Sequence, residues 1–249
     1  MSIRATLLVV SLLAGSISLA AQAPNTLTKQ EVAAGWHLLW DGKTSAGWES
    51  ERSGPFPGSG WELKDGLLSV TDTGGAEGGA AGDIITTTKY ASFELSVDFR
   101  TTVGANSGIL YLVDLNLKKG MGSPVGFEYQ ILDDAVHSDA KRGKDGDRTV
   151  ASLYDMIPAR SDKPIKPVGE WNTARIVLRG THGEHWLNGQ KVLEFDRNSP
   201  EFKQIVAGSK FSVYPNFGEM PETAIVLQDH GFPVSFRNIK IRVLRPSPR

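Results

Sequence analysis

The stretch Phe93-Glu94-Leu95-Ser96-Val97-Asp98-Phe99-Arg100, FELSVDFR, decides the fold class. Its apolar residues Phe93, Leu95, Val97 and Phe99 fall on one side of an extended chain, and Glu94, Ser96, Asp98 and Arg100 fall on the other. Unbroken period-two alternation describes a strand with one face on a core and the other toward water. The same signal recurs along the chain. Residues 61–64 and 67–70 flank Asp65-Gly66, a turn dipeptide that tolerates positive φ, and residues 185–187 and 190–195 flank Asn188-Gly189 in the same way. Further strands are expected over 109–115, 126–132, 173–179, 225–230 and 234–244. Residues 24–31 read as a short polar stretch, and only 198–206 suggest a turn or two of helix. The pattern predicts an all-β protein built as an antiparallel β-sandwich or jelly roll.

Within the last strand the alternation slips. Val234 and Phe236 set one apolar phase, Ile239, Ile241 and Val243 the other, so a β-bulge is expected at Arg237-Asn238. The glycine-rich run at 74–82 lacks the Lys-Ser/Thr and the following helix of a phosphate loop, and reads as a flexible connection.

Composition narrows the function classes. The chain has 249 residues, and its formal charge of −1 leaves no basic patch or arm for nucleic acid. It contains no cysteine, which removes thiolate catalysis, disulfide scaffolds and cysteine-ligated zinc. Arg4, the apolar run of residues 5–20 and the small residues around Ala20 and Ala23 make a secretory signal peptide. Cleavage after Ala20 fits better than after Ala23, which would leave Pro24 first. The expected organisation is therefore a signal peptide over 1–20 and a single domain over 21–249, exported to a bacterial periplasm or beyond. No other segment is apolar enough over sufficient length to predict a membrane span.

The chemistry gathers around Gly126-Phe127-Glu128-Tyr129-Gln130-Ile131-Leu132-Asp133-Asp134, GFEYQILDD. Strand geometry puts Phe127, Tyr129 and Ile131 on one face and Glu128, Gln130 and Leu132 on the other, with Glu128 and Gln130 about 7 Å apart. Arg100, Asn106, Asp133, His137, Gln228, His230 and Arg237 all sit at or near strand ends. Together they provide the carboxylates, amides, imidazoles and guanidiniums that a polyol ligand requires. Tryptophans 40, 48, 61, 171 and 186 are suited to stacking on sugars, although core packing is the commoner use. A two-carboxylate glycosidase needs a second acid or base across the bond. Gln130 stands at the alternate position and cannot serve, while Asp133 has the wrong parity for an unbroken strand.

Taken in order, GWHLLWDGKTSAGW, FELSVDFR, NSGILY, GFEYQILDD with His137, Ser152-Leu153-Tyr154-Asp155, GEWN, HWLNG, LQDHG and FRNIKIRVL resemble the 3-keto-disaccharide hydrolase family, formerly a domain of unknown function. The resemblance spans almost all of the chain after the signal. It implies a concanavalin-A-like jelly roll and action on glycosides whose C3 hydroxyl has been oxidised by a partner glycoside 3-dehydrogenase. It further implies loss of the C2 proton, elimination of the C1 group and hydration. On this resemblance Glu128 and His230 are the candidates for proton transfer, with His137 next. Arg100, Asn106, Gln130, Asp133, Gln228 and Arg237 are candidates for binding the sugar or its enolate. A divalent metal on Glu128, Asp133, His137 and His230 is an open option, and no nicotinamide cofactor is expected. The charged run at 139–150 is expected to reshape the rim of the site. The competing reading is a carbohydrate-binding module without catalysis, which the same polar residues would serve.

Overall fold

The computed structural model describes residues 22–75, 81–118 and 122–245. The expected signal peptide lies outside them, as does most of the glycine-rich run. Thirteen strands are present among the described residues: β1 (His37–Leu38), β2 (Trp48–Ser50), β3 (Trp61–Lys64), β4 (Leu67–Val70), β5 (Ile84–Thr86), β6 (Phe93–Thr101) and β7 (Asn106–Lys118). They continue with β8 (Pro124–Leu132), β9 (Asn172–Arg179), β10 (His182–Leu187), β11 (Gln190–Asp196), β12 (Val226–Leu227) and β13 (Val234–Val243).

These strands form two antiparallel sheets, stacked as a sandwich. One has eight strands, in the order β11-β10-β9-β6-β13-β4-β3 with β1 also on β13; the other has five, in the order β2-β5-β12-β7-β8. The alternation that identified β6 is what joins them: Phe93, Leu95, Val97 and Phe99 are buried against Tyr111, Phe127, Tyr129 and Ile131 of the second sheet within one apolar cluster. The two dipeptide turns take the expected left-handed geometry, with φ of 52° and 72° at Asp65-Gly66 and 48° and 83° at Asn188-Gly189. The bulge in β13 is present as well. Its register against β6 shifts between Arg237 and Lys240, and Asn238 has φ 51°. That extra residue keeps Val234, Phe236, Ile239 and Ile241 all in the core.

Of three further local expectations, two change and one, the helix, is met. Residues 24–31 are not simply polar chain: Thr28 and Glu31 form a reciprocal capping box that starts a short helix, Lys29–Ala33. The turn or two of helix near 198–206 is a helix over Pro200–Gly208, capped by Ser199. The strand expected over 225–230 pairs only at Val226–Leu227. Beyond it the Asp229 N–H donates to the Asp83 carboxylate, and the Gly231 N–H to Asp229 itself, so side chains replace the ladder.

Candidate active site

The outer face of the five-stranded sheet, turned away from the sandwich core, is the floor of a cavity of about 540 Å³. That volume lies within the range of small-molecule sites. Residues directly opposite in an antiparallel pair share a face, and the register therefore assembles the floor in rows. Leu110 pairs with Glu128 and Gly108 with Gln130. The Gln228 N–H, just past β12, donates to the Gly108 carbonyl and extends the second row to Gln228, Gly108 and Gln130. Gly108 is the opening in this row. A Cβ there would lie 2.5 Å from Oε1 of Glu128, so the missing side chain is what lets the carboxylate lie across the row.

A wall stands on the free edge of β8. The Ala151 N–H donates to the Gln130 carbonyl, the Gln130 N–H to Ser152, and the Tyr154 N–H to the Glu128 carbonyl. This carries the Tyr154 ring into the cavity beside Glu128. The Tyr154 hydroxyl donates to Asp139 at 2.7 Å, Arg148 donates to Asp139 at 2.9 Å and to Asp155 at 2.6 Å, and the Lys210 ammonium lies 4.0 Å from the centre of the Tyr154 ring. Burial, the Glu128 charge and the hydrogen bond to Asp139 hold the Tyr154 phenol well above its ordinary pKa, so it stays protonated. For Asp139 burial works against the charge, but hydrogen bonds from Tyr154 and Arg148 and the charges of Arg148 and Lys210 outweigh it. Asp139 is held below the usual carboxylate range and remains an anion.

His137 lines the cavity beside Phe232 and caps a short turn, where the Asp139 N–H donates to its Nδ1 at 3.2 Å. Its proton therefore sits on Nε2. Burial lowers its pKa despite the charge of Asp139 nearby, which keeps the ring neutral at pH 7. Asn106, Gln228 and His230 line the same cavity. Asn106 and Gln228 are almost fully buried, and each has a side-chain oxygen with no donor among the described residues. Leaving such an oxygen unmet costs about 1–3 kcal/mol. A ligand hydroxyl is the kind of donor that recovers it.

The cavity thus brings together Glu128, Gln130, Asn106, His137, Gln228 and His230. It does not include Arg100, Asp133 or Arg237. Arg100 and Arg237 belong to the eight-stranded sheet and project from its outer face, where both guanidiniums lie over the Trp171 ring at 4.8 and 4.0 Å. Strand ends close in sequence were not on the same sheet. Asp133 turns back on its own chain, accepting the N–H groups of Gly104, Ala135 and Val136. With Asp133 so occupied, the proposed metal set of Glu128, Asp133, His137 and His230 does not converge. Among the described residues the sole cluster of three acidic or histidine side chains with suitably close ligand atoms is His182, Glu184 and Glu194. These belong to the β10–β11 hairpin, where Lys191 already pairs with both glutamates.

The tryptophans serve packing, as their commoner use suggests, and the aromatic lining comes from elsewhere. Trp40, Trp48 and Trp61 are core, and Trp171 and Trp186 pack beneath arginines on the other sheet. The cavity's aromatic residues are Tyr154, Phe211, Tyr214 and Phe232. Tyr154 lies within the motif Ser152-Leu153-Tyr154-Asp155, and Asp139, Arg142 and Arg148 lie within the charged run expected at the rim; residues 210–214 carry no sequence signal.

Comparisons with known proteins place the chain in a family. Residues 35–242 match the model of a family described as the 3-keto-alpha-glucoside-1,2-lyase-like domain. A 3-keto-disaccharide hydrolase of Bacteroides thetaiotaomicron is 39% identical, over 92% of this chain and 85% of its own. Two crystal structures of candidate glycosyl hydrolases from Parabacteroides distasonis superpose with TM-scores of 0.77 and 0.62. They are 31% and 30% identical, over 89% and 84% of this chain and 100% and 99% of theirs.

Proposed function

The chain belongs to the 3-keto-alpha-glucoside-1,2-lyase-like family, and from that premise we propose that it cleaves 3-keto-glycosides by elimination followed by hydration. The observation that supports this reading is a single carboxylate on the cavity floor. Of the two acids lining the cavity, Asp139 is bound as an anion to Tyr154 and Arg148 on the wall, while Glu128 lies on the floor across the Gly108 row, where a sugar ring would rest. A single base is poor equipment for a double-carboxylate mechanism and suits removal of an acidified proton.

The ketone at C3 makes the C2 proton acidic. Glu128 takes that proton, and the electron pair passes into the C3 carbonyl as an enolate. As the carbonyl re-forms, the pair makes a C1–C2 double bond and the C1–O bond breaks; the departing oxygen takes a proton from His230. Water then adds at C1, with a proton returned to C2, which gives the free 3-keto sugar. The neutral His137 presents Nε2–H and the cationic Lys210 faces the same space, as an enolate oxygen requires, while the Tyr154 hydroxyl gives its proton to Asp139 and shapes the wall. Asn106, Gln130 and Gln228 hold the remaining hydroxyls. A glycoside 3-dehydrogenase acting earlier supplies the ketone, and the leader over residues 1–20 is consistent with work in the periplasm.

The test is release of nitrophenol from nitrophenyl glucoside and from its 3-keto derivative. Release from the keto compound alone is expected. Binding of the sugar with release from neither would replace this reading with that of a carbohydrate-binding module.

A further inference from the structure

The outer face of the eight-stranded sheet lies on the far side of the sandwich from the cavity, and its cations are of two kinds. Most are matched by acids. Arg175 and Arg242 share the carboxylate of Glu94, Lys191 pairs with Glu194, and Lys240 pairs with Glu31. Arg100 and Arg237 are not. Among the described residues Arg100 has no acidic partner, only the ring of Trp171. Arg237 has Asp98 alone, with Nε 3.6 Å from Oδ2. That oxygen already accepts from Nδ2 of Asn238 at 2.7 Å, and Oδ1 accepts from the Thr173 hydroxyl at 2.7 Å. Nε of Arg237 is therefore left without a hydrogen-bond partner among the described residues.

Register brings the two arginines together. β6 and β13 pair Arg100 with Ser235 and Asp98 with Arg237, which makes the arginines diagonal neighbours about 7–8 Å apart at the backbone. One step beyond the Phe99–Asn172 pair of β6 and β9, Trp171 stands beside Arg100. Both guanidiniums lie over its ring, at 4.8 and 4.0 Å. The ring's own loop is tied down: Nζ of Lys166 donates to the Trp171 carbonyl at 3.0 Å, and the Gly169 N–H donates to the Thr101 carbonyl. All three side chains are half-buried and reach solvent. Stacking fixes each planar fork in place, so less freedom is lost when it takes a ligand.

We propose that Arg100 and Arg237, held on Trp171, form an accessory site for the carboxylate of an acidic sugar, a uronate unit of a glycan chain. Two guanidinium forks offer bidentate donors to a planar carboxylate, and its charge offsets the repulsion between neighbouring cations. The patch is too small for larger polyanions. An anionic membrane is read by clusters of about four to eight basic residues, and nucleic acid by a longer basic stripe. The chain's formal charge of −1 draws in neither. The choice of a sugar rests on the proposed function, whereas the anion site does not.

The test is titration of the protein with trigalacturonate, read from the indole N–H signal of Trp171, which its loss in Trp171→Phe identifies. The signal is expected to move saturably in the wild type and equally in Glu128→Gln, because the cavity takes no part. Arg100→Gln and Arg237→Gln are each expected to weaken the affinity about tenfold, the scale of a charge-assisted hydrogen bond. Arg237→Lys is expected to fall nearly as far, since an ammonium has no fork. Neutral galactotriose should leave the signal in place. An unmoved Trp171 signal, or affinity that survives the arginine changes, would overturn the site. Sulfate or acetate acting as well as trigalacturonate at equal charge would overturn the assignment to a sugar. Capture by phosphatidylglycerol vesicles through the same arginines, with no response to trigalacturonate, would give the face to a membrane instead. Cleavage of the keto-glycoside, measured alongside, decides the proposed function separately: its absence would count against that reading, and the titration would still decide this site.

Discussion

The five-stranded sheet buries polar groups on both of its faces, and it treats them differently. On the inner face His185 is fully buried among Tyr111, Tyr129 and Phe195. Its Nδ1 lies 3.0 Å from the Ala151 carbonyl, which can only accept, so Nδ1 carries the proton and Nε2 accepts from the Tyr111 hydroxyl at 2.7 Å. Both ring nitrogens are satisfied by the fold. On the outer face Asn106 and Gln228 are nearly as buried, yet each keeps an oxygen without a donor among the described residues. The difference separates structure from function. A closed network holds the sandwich together, and here it also pins Ala151, whose φ of 67° begins the segment that delivers Tyr154. An open network is a binding surface.

The comparison breaks first at Glu128. Glu128→Gln is expected to lower kcat on the keto-glycoside by about 10²–10⁴-fold while the melting temperature stays close to that of the wild type. A large loss of stability instead would make Glu128 part of the closed network. Next in size is the inner face. Burial lowers the His185 pKa to about 4 against the hydrogen bonds to Ala151 and Ser152. Between that value and about 6.5 the unfolded chain binds more protons than the folded one, so stability rises with pH. Stability is complete above about pH 6.5 and falls by about 3 kcal/mol as pH drops to 4. Chemical denaturation across this range should show the slope in the wild type and lose most of it in His185→Gln.

Gly108 sharpens the contrast on the outer face. Gly108→Ala forces a Cβ onto the Glu128 carboxylate, and about a tenfold loss in kcat/KM is expected from the displaced base, with the fold retained by circular dichroism. The smallest effect belongs to Arg100 and Arg237. Each change to alanine loses a partly exposed contact with Trp171, which removes under about 1 kcal/mol of stability. Steady-state kinetics should leave kcat/KM unchanged for both.

Why the fold was legible and half of the site was not follows from these residues. Period-two alternation in β6 and β8, the Asp65-Gly66 and Asn188-Gly189 turns and the phase slip in β13 are local signals, and each acts where it is written. Parity in β8 likewise separated Phe127, Tyr129 and Ile131 from Glu128 and Gln130. Which strand ends meet is set by long-range pairing, which alternation does not encode. Arg100 and Arg237 therefore look in the sequence like neighbours of residues on the opposite sheet, and nothing beside Asp133 in the sequence announces the three backbone donors that occupy it. Lys210, Phe211 and Tyr214 reach the cavity from a segment with no regular pattern at all.

The measurement that tests the central claim most directly is the fate of the C2 hydrogen. Cleavage of a 3-keto-glycoside in deuterium oxide, stopped early and analysed by mass spectrometry and proton NMR, is expected to leave one deuterium at C2 of the free keto sugar. The label should enter at the rate of cleavage, and both should be lost together in Glu128→Gln. A product that keeps its original C2 hydrogen would contradict elimination and return Glu128 to some other role in the cavity.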